Sequence, residues 1–360
     1  MLGPGPSRGN WNLGNPLFAQ SEAGGLPGFE PPVAANQLPR RRRPAYDAAN
    51  SKATGFPMTL PRRIGTQRDI LGENPLWDDR AQCLWWIDIR APSIRRLDSD
   101  GALRSWPMPA LVGAIALVED GRLLVALPQQ LALFDPRDGR LEPFVEPPPM
   151  PPGHRFNDGR CDAQGRFWLG SMHNVTRAPE GVLYCLEGRS LRAVREGVCI
   201  PNSLAFSPDG RTMYFADSLR YAIYAHDYDA AQGRMGAERT IARTEPPGFP
   251  DGSAVDAEGF LWNAEFNAAR LVRYAPDGRI DRIVPMPVPR PTCCAFGGPA
   301  LDVLYVTSTS QHMSEEELRA EPLAGALFAL DVGVRGLPEP RFSLTGARPQ
   351  NPCDIHTKTP

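Results

Sequence analysis

No apolar run in this 360-residue chain approaches the roughly 18 residues that a membrane-spanning helix needs, so no membrane partner is expected. Neither charge is in excess. With 39 Lys+Arg against 41 Asp+Glu the net charge is −2, which gives nucleic acid no electrostatic footing. Histidine is scarce, and His154, His173, His226, His312 and His356 show none of the spacing of a soft-metal site. The seven cysteines (83, 161, 185, 199, 293, 294 and 353) lack metal spacing as well. Their odd number and the vicinal Cys293-Cys294 pair fit reduced thiols in a cytoplasmic protein. A Gly-x-Ser-x-Gly elbow is also missing, so a covalent serine mechanism has no seat.

Proline (40) and glycine (34) are abundant, and their placement decides what they mean. Over residues 1–60 they are dense and aperiodic, as in Gly3-Pro4-Gly5-Pro6 and Gly24-Gly25-Leu26-Pro27-Gly28. That stretch has no apolar periodicity and no secretory h-region, and it is expected to be a disordered extension. Arg40 to Arg43 within it reads as a solvated linker, with a nuclear or anionic-surface tag as the alternative. Met58, just ahead of the next region, offers an alternative start of translation.

From about residue 64 the texture changes to short apolar runs broken by Asp/Pro-x-Gly turns. Six segments share one grammar: a polar or small opening, an apolar strand, a turn ending in Gly, and a second apolar strand. The clearest are Asn202 to Ala216, Asp251 to Trp262 and Asn157 to Trp168, with looser copies at Asn74, Gly113 and Thr292. The openings at 74, 113, 157, 202, 251 and 292 are separated by 39, 44, 45, 49 and 41 residues. Third and fourth strands follow, as in Ala222 to Tyr228, Arg270 to Tyr274 and Gly325 to Leu330. A non-helical repeat of this length with four strands predicts an all-β, six-bladed β-propeller over residues 64–345, followed by a C-terminal tail over 346–360. Thr66 to Leu71 is expected to complete the last blade and close the ring.

If the blades close into a ring, the residues that open each inner strand converge on the mouth of the central channel. That places Glu73, Arg155, Asn157, Asn202 and Asp251 together. Glu73, Asn202 and Asp251 supply two carboxylates and an amide oxygen, the chemistry of a hard divalent cation. Two close carboxylates repel unless a cation lies between them. For each residue taken alone, a capped turn or a solvated loop is the alternative. Arg155 offers a fixed fork of donors and Asn157 both a donor and an acceptor, a pair suited to a polyhydroxylated ligand. An ion pair with a site carboxylate is the alternative for Arg155.

The blocks Leu71-Gly72-Glu73-Asn74-Pro75-Leu76-Trp77, Arg155 to Arg160, Pro201 to Gly210 and Phe249 to Gly259 together resemble the SMP-30/gluconolactonase/LRE (regucalcin-like) family. Tyr214 to Leu219 and Pro291 to Gly298 add two further blocks, and the resemblance covers about residues 68–340. It implies a propeller that hydrolyses sugar lactones with one divalent metal: calcium, zinc, manganese, magnesium or iron(II). Metal ligands then fall on Glu73, Asn202 and Asp251, and substrate contacts on Arg155 and Asn157. Asp251 doubles as general base. Ser203 stands where the family usually has Gly, an exchange that fits a negative φ. The segment Ser171 to Arg177 departs from the family pattern, with His173 or Asn174 as the substitute substrate contact.

The implied reaction opens an aldonolactone (glucono-, galactono-, xylono- or arabinonolactone) to its aldonic acid by Asp-assisted attack of water on a metal-polarised carbonyl. The expected partner is a small-molecule sugar lactone, the protein itself a monomer or weak homo-oligomer. Two other readings stand beside it: a metal-dependent organophosphate or ester hydrolase, and a non-catalytic calcium-binding propeller. The donors of Arg155 and Asn157 speak against the last.

Overall fold

The computed structural model describes residues 60–348. The expected extension before Leu60 and the tail beyond Arg348 lie outside the described residues. The described chain forms six four-stranded antiparallel sheets arranged as the blades of a propeller. The innermost strands are Gly72–Asp78, Ala114–Leu117, His154–Cys161, Pro201–Phe206, Phe249–Val255 and Pro291–Gly297. Each touches the inner strand of the next blade, and Pro291–Gly297 returns to Gly72–Asp78.

The apolar runs are continuous because both faces of a blade are buried. Successive residues of a strand point to opposite faces. In the second blade Ala114 and Ala116 pack toward the third blade, while Ile115 and Leu117 pack toward the first. In the first blade Trp85 faces the second blade and Trp86 the sixth. Six apolar clusters result, one at each interface between neighbouring blades, so the core itself is a closed ring. The turns between inner and second strands follow the Asp-x-x-Gly reading. Asp162 and Asp256 accept backbone N–H groups of their own turns, and Gly165 and Gly259 sit at φ 84° and 85°.

The closing strand differs from the expectation. Arg62–Ile64 pairs antiparallel with Leu327–Asp331 and supplies the outer strand of the sixth blade. Thr66 to Leu71 instead leads inward to the first inner strand. On the way the Asp69 N–H bonds to the Gly325 carbonyl (2.7 Å) and Leu71 bridges to Thr309. After the last blade the chain crosses the far face of the ring. Gly336 bridges to Asp256, Phe342 to Val118, and the Ser343 N–H bonds to the Gly165 carbonyl (3.0 Å). This segment sets Glu339 against the Arg160 guanidinium (2.6 Å) on that face. The bonds to the ring continue to Arg348, whose N–H reaches the Gln164 carbonyl (2.9 Å). Among the described residues all six cysteines are free thiols, the vicinal pair included.

Candidate functional site

A β-bulge near the start of five inner strands shapes the mouth. Pairing with the second strand slips between Glu73 and Leu76, Asn157 and Gly159, Asn202 and Ala205, Pro250 and Ser253, and Pro291 and Cys294. An extra residue in a strand re-aims the side chains on either side of it. Asn74, Asp158 and Ser203 take it up in the left-handed region, at φ 48°, 56° and 57°. Each then reaches toward another blade. Asn74 donates to the Gly159 carbonyl (3.1 Å) and accepts from the Ile115 N–H (2.7 Å). Asp158 accepts from the Leu204 N–H (3.0 Å), and Ser203 donates to the Asp251 carbonyl (2.5 Å). Gly252, next in the series, leaves no room for a Cβ against Cys293.

Ser203 therefore departs from its expected negative φ. What holds it there is its hydroxyl, which also accepts from Asn263 Nδ2 and Ser253 Oγ, both at 3.0 Å. Ser203→Ala keeps the left-handed Cβ and loses those bonds, and should cost about 2 kcal/mol of stability. Ser203→Gly loses the same bonds but recovers about 1 kcal/mol of backbone strain. Urea denaturation should thus rank wild type above Gly and Gly above Ala. An alanine variant as stable as wild type would remove the hydroxyl from this account.

A hydrogen-bond chain links the predicted residues across three blades. Arg155 Nη1 donates to Asn157 Oδ1 (2.6 Å), and Asn157 Nδ2 donates to Asn202 Oδ1 (3.1 Å) and to the Pro201 carbonyl (2.8 Å). Asn202 Nδ2 donates to Ser218 Oγ (2.8 Å), which donates to the Pro250 carbonyl (2.7 Å). Since the Ser218 proton is committed to that carbonyl, Asn202 must present Nδ2 to Ser218. Its Oδ1 is then the end turned toward Asn157.

Arg155, Asn157, Asn202 and Asp251 are buried, while Glu73 keeps partial exposure. Among the described residues Arg155 makes no ion pair, so the alternative reading of it is not realised. Its Nε is held by Asn174 Oδ1 (2.8 Å) and its Nη1 by the Phe156 carbonyl (2.9 Å) as well as Asn157. The two candidates in the 171–177 segment separate here. Asn174 touches the site through Arg155. His173 caps its own turn, its Nδ1 accepting from the Val175 and Thr176 N–H groups (3.2 and 3.0 Å).

Burial pushes the Glu73 carboxyl up to about 8, and the Asp158 carboxylate raises it further against the pull of the Asn74 N–H and Arg155. Asp251 is raised well above the ordinary carboxylate range by burial, then by Glu73 and Asp158. Burial lifts Asp158 too, offset in part by the Leu204 N–H and Arg160. Arg155 is pushed down to about 9 by burial and by Arg90. Three carboxyl groups, Glu73, Asp158 and Asp251, thus act on one another, one more than expected. Asp158 had a signal, because it adjoins Asn157 in the same block, but Asn-Asp-Gly also reads as an ordinary turn. Among the described residues no three His, Cys, Asp or Glu side chains form a ready metal cluster. The set Glu73, Asn202 and Asp251 contains two such groups and an amide.

Fold and mouth together define a six-bladed propeller with carboxyl groups gathered at one end of its inner strands. The chain belongs to the SMP-30/gluconolactonase/LRE-like family, whose model matches residues 71–310. It is 40% identical over 289 residues to the L-arabinolactonase of Azospirillum brasilense, covering 78% of this chain and 95% of that one. It is 38% identical over 281 residues to the 6-deoxy-6-sulfogluconolactonase of Pseudomonas putida, covering 77% and 96%. The crystal structure of a calcium-binding protein, regucalcin, from Agrobacterium tumefaciens superposes with a TM-score of 0.77 at 32% identity, covering 80% of this chain and 99% of the other.

Proposed function

We propose that the protein is a metal-dependent lactonase that opens a sugar lactone to the corresponding aldonic acid. The observation that carries this reading is the crowding of Glu73 and Asp251 beside the oriented amide of Asn202, next to an arginine without a counter-ion. The relatives named as an arabinolactonase and a sulfogluconolactonase support the substrate class.

The donor set fits a hard divalent cation. Its carboxylates are held up in pKa by burial and by one another, which a positive charge among them relieves. Glu73, Asn202 and Asp251 would hold the ion, and the relative named as calcium-binding supports calcium as one candidate beside zinc, manganese, magnesium and iron(II). When bound, such an ion supplies Lewis-acid polarisation of the lactone carbonyl.

The chain's own groups do the rest. Beside a cation Asp251 returns to the ionised form that a general base needs, and takes a proton from the attacking water. As the new C–O bond forms and the ring C–O bond breaks, Asp251 returns that proton to the departing ring oxygen, which leaves as a hydroxyl. Arg155 donates to the sugar, while Asn157 Oδ1 and Asn174 Oδ1 fix the plane of its guanidinium. No hydrogen bond to the described residues uses Arg155 Nη2, which leaves it available to a ligand.

A pH-stat comparison of pentono- and hexonolactones with a phosphotriester tests the assignment. Lactones should release acid with a kcat/KM at least about a hundredfold above the phosphotriester. The reverse order would make the protein an organophosphate hydrolase. Metal binding without turnover of any ester would make it a non-catalytic calcium-binding propeller.

A further inference from the structure

The mouth is acidic at its centre and basic at its rim. Antiparallel pairing sets the end of each second strand beside the start of its inner strand, as in Glu73 opposite Ile87, His154 opposite His173 and Pro291 opposite Ser308. Loops that leave the second strands therefore encircle the same mouth as the site residues. Arg90 lies in the loop after Asp88, Arg177 in the loop after His173, and His312 in the loop after Ser308, while Arg290 immediately precedes Pro291. These groups feel one another. Arg177 disfavours the charge on Arg90, both disfavour the charge on Arg155, and Arg177, Arg90 and Arg290 all act against the protonation of His312.

Elsewhere this protein neutralises its buried arginines. Arg160 meets Glu339, Arg166 meets Asp162, Arg273 meets Asp256, Glu258 and Asp281, and Arg341 meets Asp78 and Asp79. At the mouth the buried Arg155 breaks the habit, and the half-buried Arg90 and Arg177 join it. Among the described residues Arg90, Arg155 and Arg177 make no ion pair, and the buried Nε of Arg90 has no hydrogen-bond partner. The nearby acids are engaged elsewhere: Glu180 faces His154 (3.5 Å), and Glu317 both caps its helix and acts on Arg290. Arg290 is further tied to Asn267 and to the Gln311 carbonyl. Arg177 is held in the left-handed region (φ 55°) by a turn closed onto the His173 carbonyl (3.2 Å). Clustering like charges without counter-ions costs stability, and the cost is offset when an anion binds between them.

A neutral sugar lactone offers such a cluster only hydroxyls. We propose that the preferred substrate is a sugar lactone bearing a tetrahedral anionic group, a sulfonate or phosphate, at the end remote from its carbonyl, with Arg90 and Arg177 gripping that group. This rests on the lactonase reading and adds the charge of the substrate to it. Guanidinium forks match such oxyanions with paired N–H donors, so the contact is directional as well as electrostatic.

The test compares kcat/KM for gluconolactone, 6-phosphogluconolactone and 6-deoxy-6-sulfogluconolactone in wild type, Arg90→Gln and Arg177→Gln. At low salt one or both charged lactones should exceed the neutral one by at least about tenfold, and the advantage should shrink near ~0.5 M salt. Each substitution should cut that ratio by about tenfold. Comparing the phosphate and sulfonate arms identifies the oxyanion. As a readout apart from turnover, the matching charged aldonate should raise the Tm of the metal-free protein more than gluconate does, and less in the variants. Opening of the neutral lactone with no charge preference, or an equal loss on all three lactones in both variants, would overturn the inference and leave the lactonase reading standing. Failure to open any lactone with any metal would overturn both.

Discussion

Asp251→Asn lowers kcat for lactone opening by at least about a thousandfold, or about 4 kcal/mol of transition-state stabilisation, while the propeller stays folded. Asparagine keeps the size of the side chain and the backbone carbonyl that Ser203 holds (2.5 Å). It removes a carboxylate that would take a proton from water and return it to the ring oxygen, and with it one anionic ligand for the ion. The stability effect should run the opposite way. Asp251 is raised in pKa by burial and by Glu73 and Asp158, so the neutral amide relieves repulsion in the metal-free protein. Without metal the variant should melt at or above the wild-type temperature, and it should gain less from added calcium or zinc. Paired kinetics and melting curves check both halves. Wild-type turnover in this variant would end the assignment of Asp251.

The second large effect is the pH dependence of the metal-free protein. Glu73 stands at about 8 in the fold against an ordinary carboxylate value of 4.5. A group that binds its proton more tightly when folded contributes its full stability below 4.5 and loses it as the pH climbs through about 8. Asp251 is shifted in the same direction and adds to the loss. The Tm of chelator-treated protein should therefore fall between pH 6 and pH 9. Because cation binding requires the ionised carboxylates, the Tm gain from a saturating divalent ion should be larger at pH 9 than at pH 6, by at least about 5 °C. A gain independent of pH would mean that Glu73 and Asp251 do not bind the ion.

The parts of this molecule that were legible in its sequence are those a repeat exposes. Both faces of every blade are buried, so strands appear as continuous apolar runs, and the turns between them carry Asp and Gly at fixed offsets. Phase along the repeat then brought Glu73, Asn157, Asn202 and Asp251 to one mouth. The closing strand was harder to see, because Arg62-Arg63-Ile64 lies at the solvated edge of its blade and leaves almost no apolar pattern. Bulges were invisible for another reason. Periodicity does not reveal which residue of a strand is the extra one, so neither the positive φ of Ser203 nor the inward turn of Asp158 could be read. Arg90 and Arg177 sit in loops of unequal length that carry no repeat phase, and only the strand registers show that they share a rim.

Acid release from a sugar lactone before and after metal exchange tests the central claim most directly. Protein stripped with chelator should open neither pentono- nor hexonolactones above the spontaneous rate. Stoichiometric addition of one divalent ion should restore turnover in wild type, and Glu73→Gln should need far more metal for the same rate. Full activity in metal-free protein, or equal metal demand in wild type and Glu73→Gln, would contradict the account.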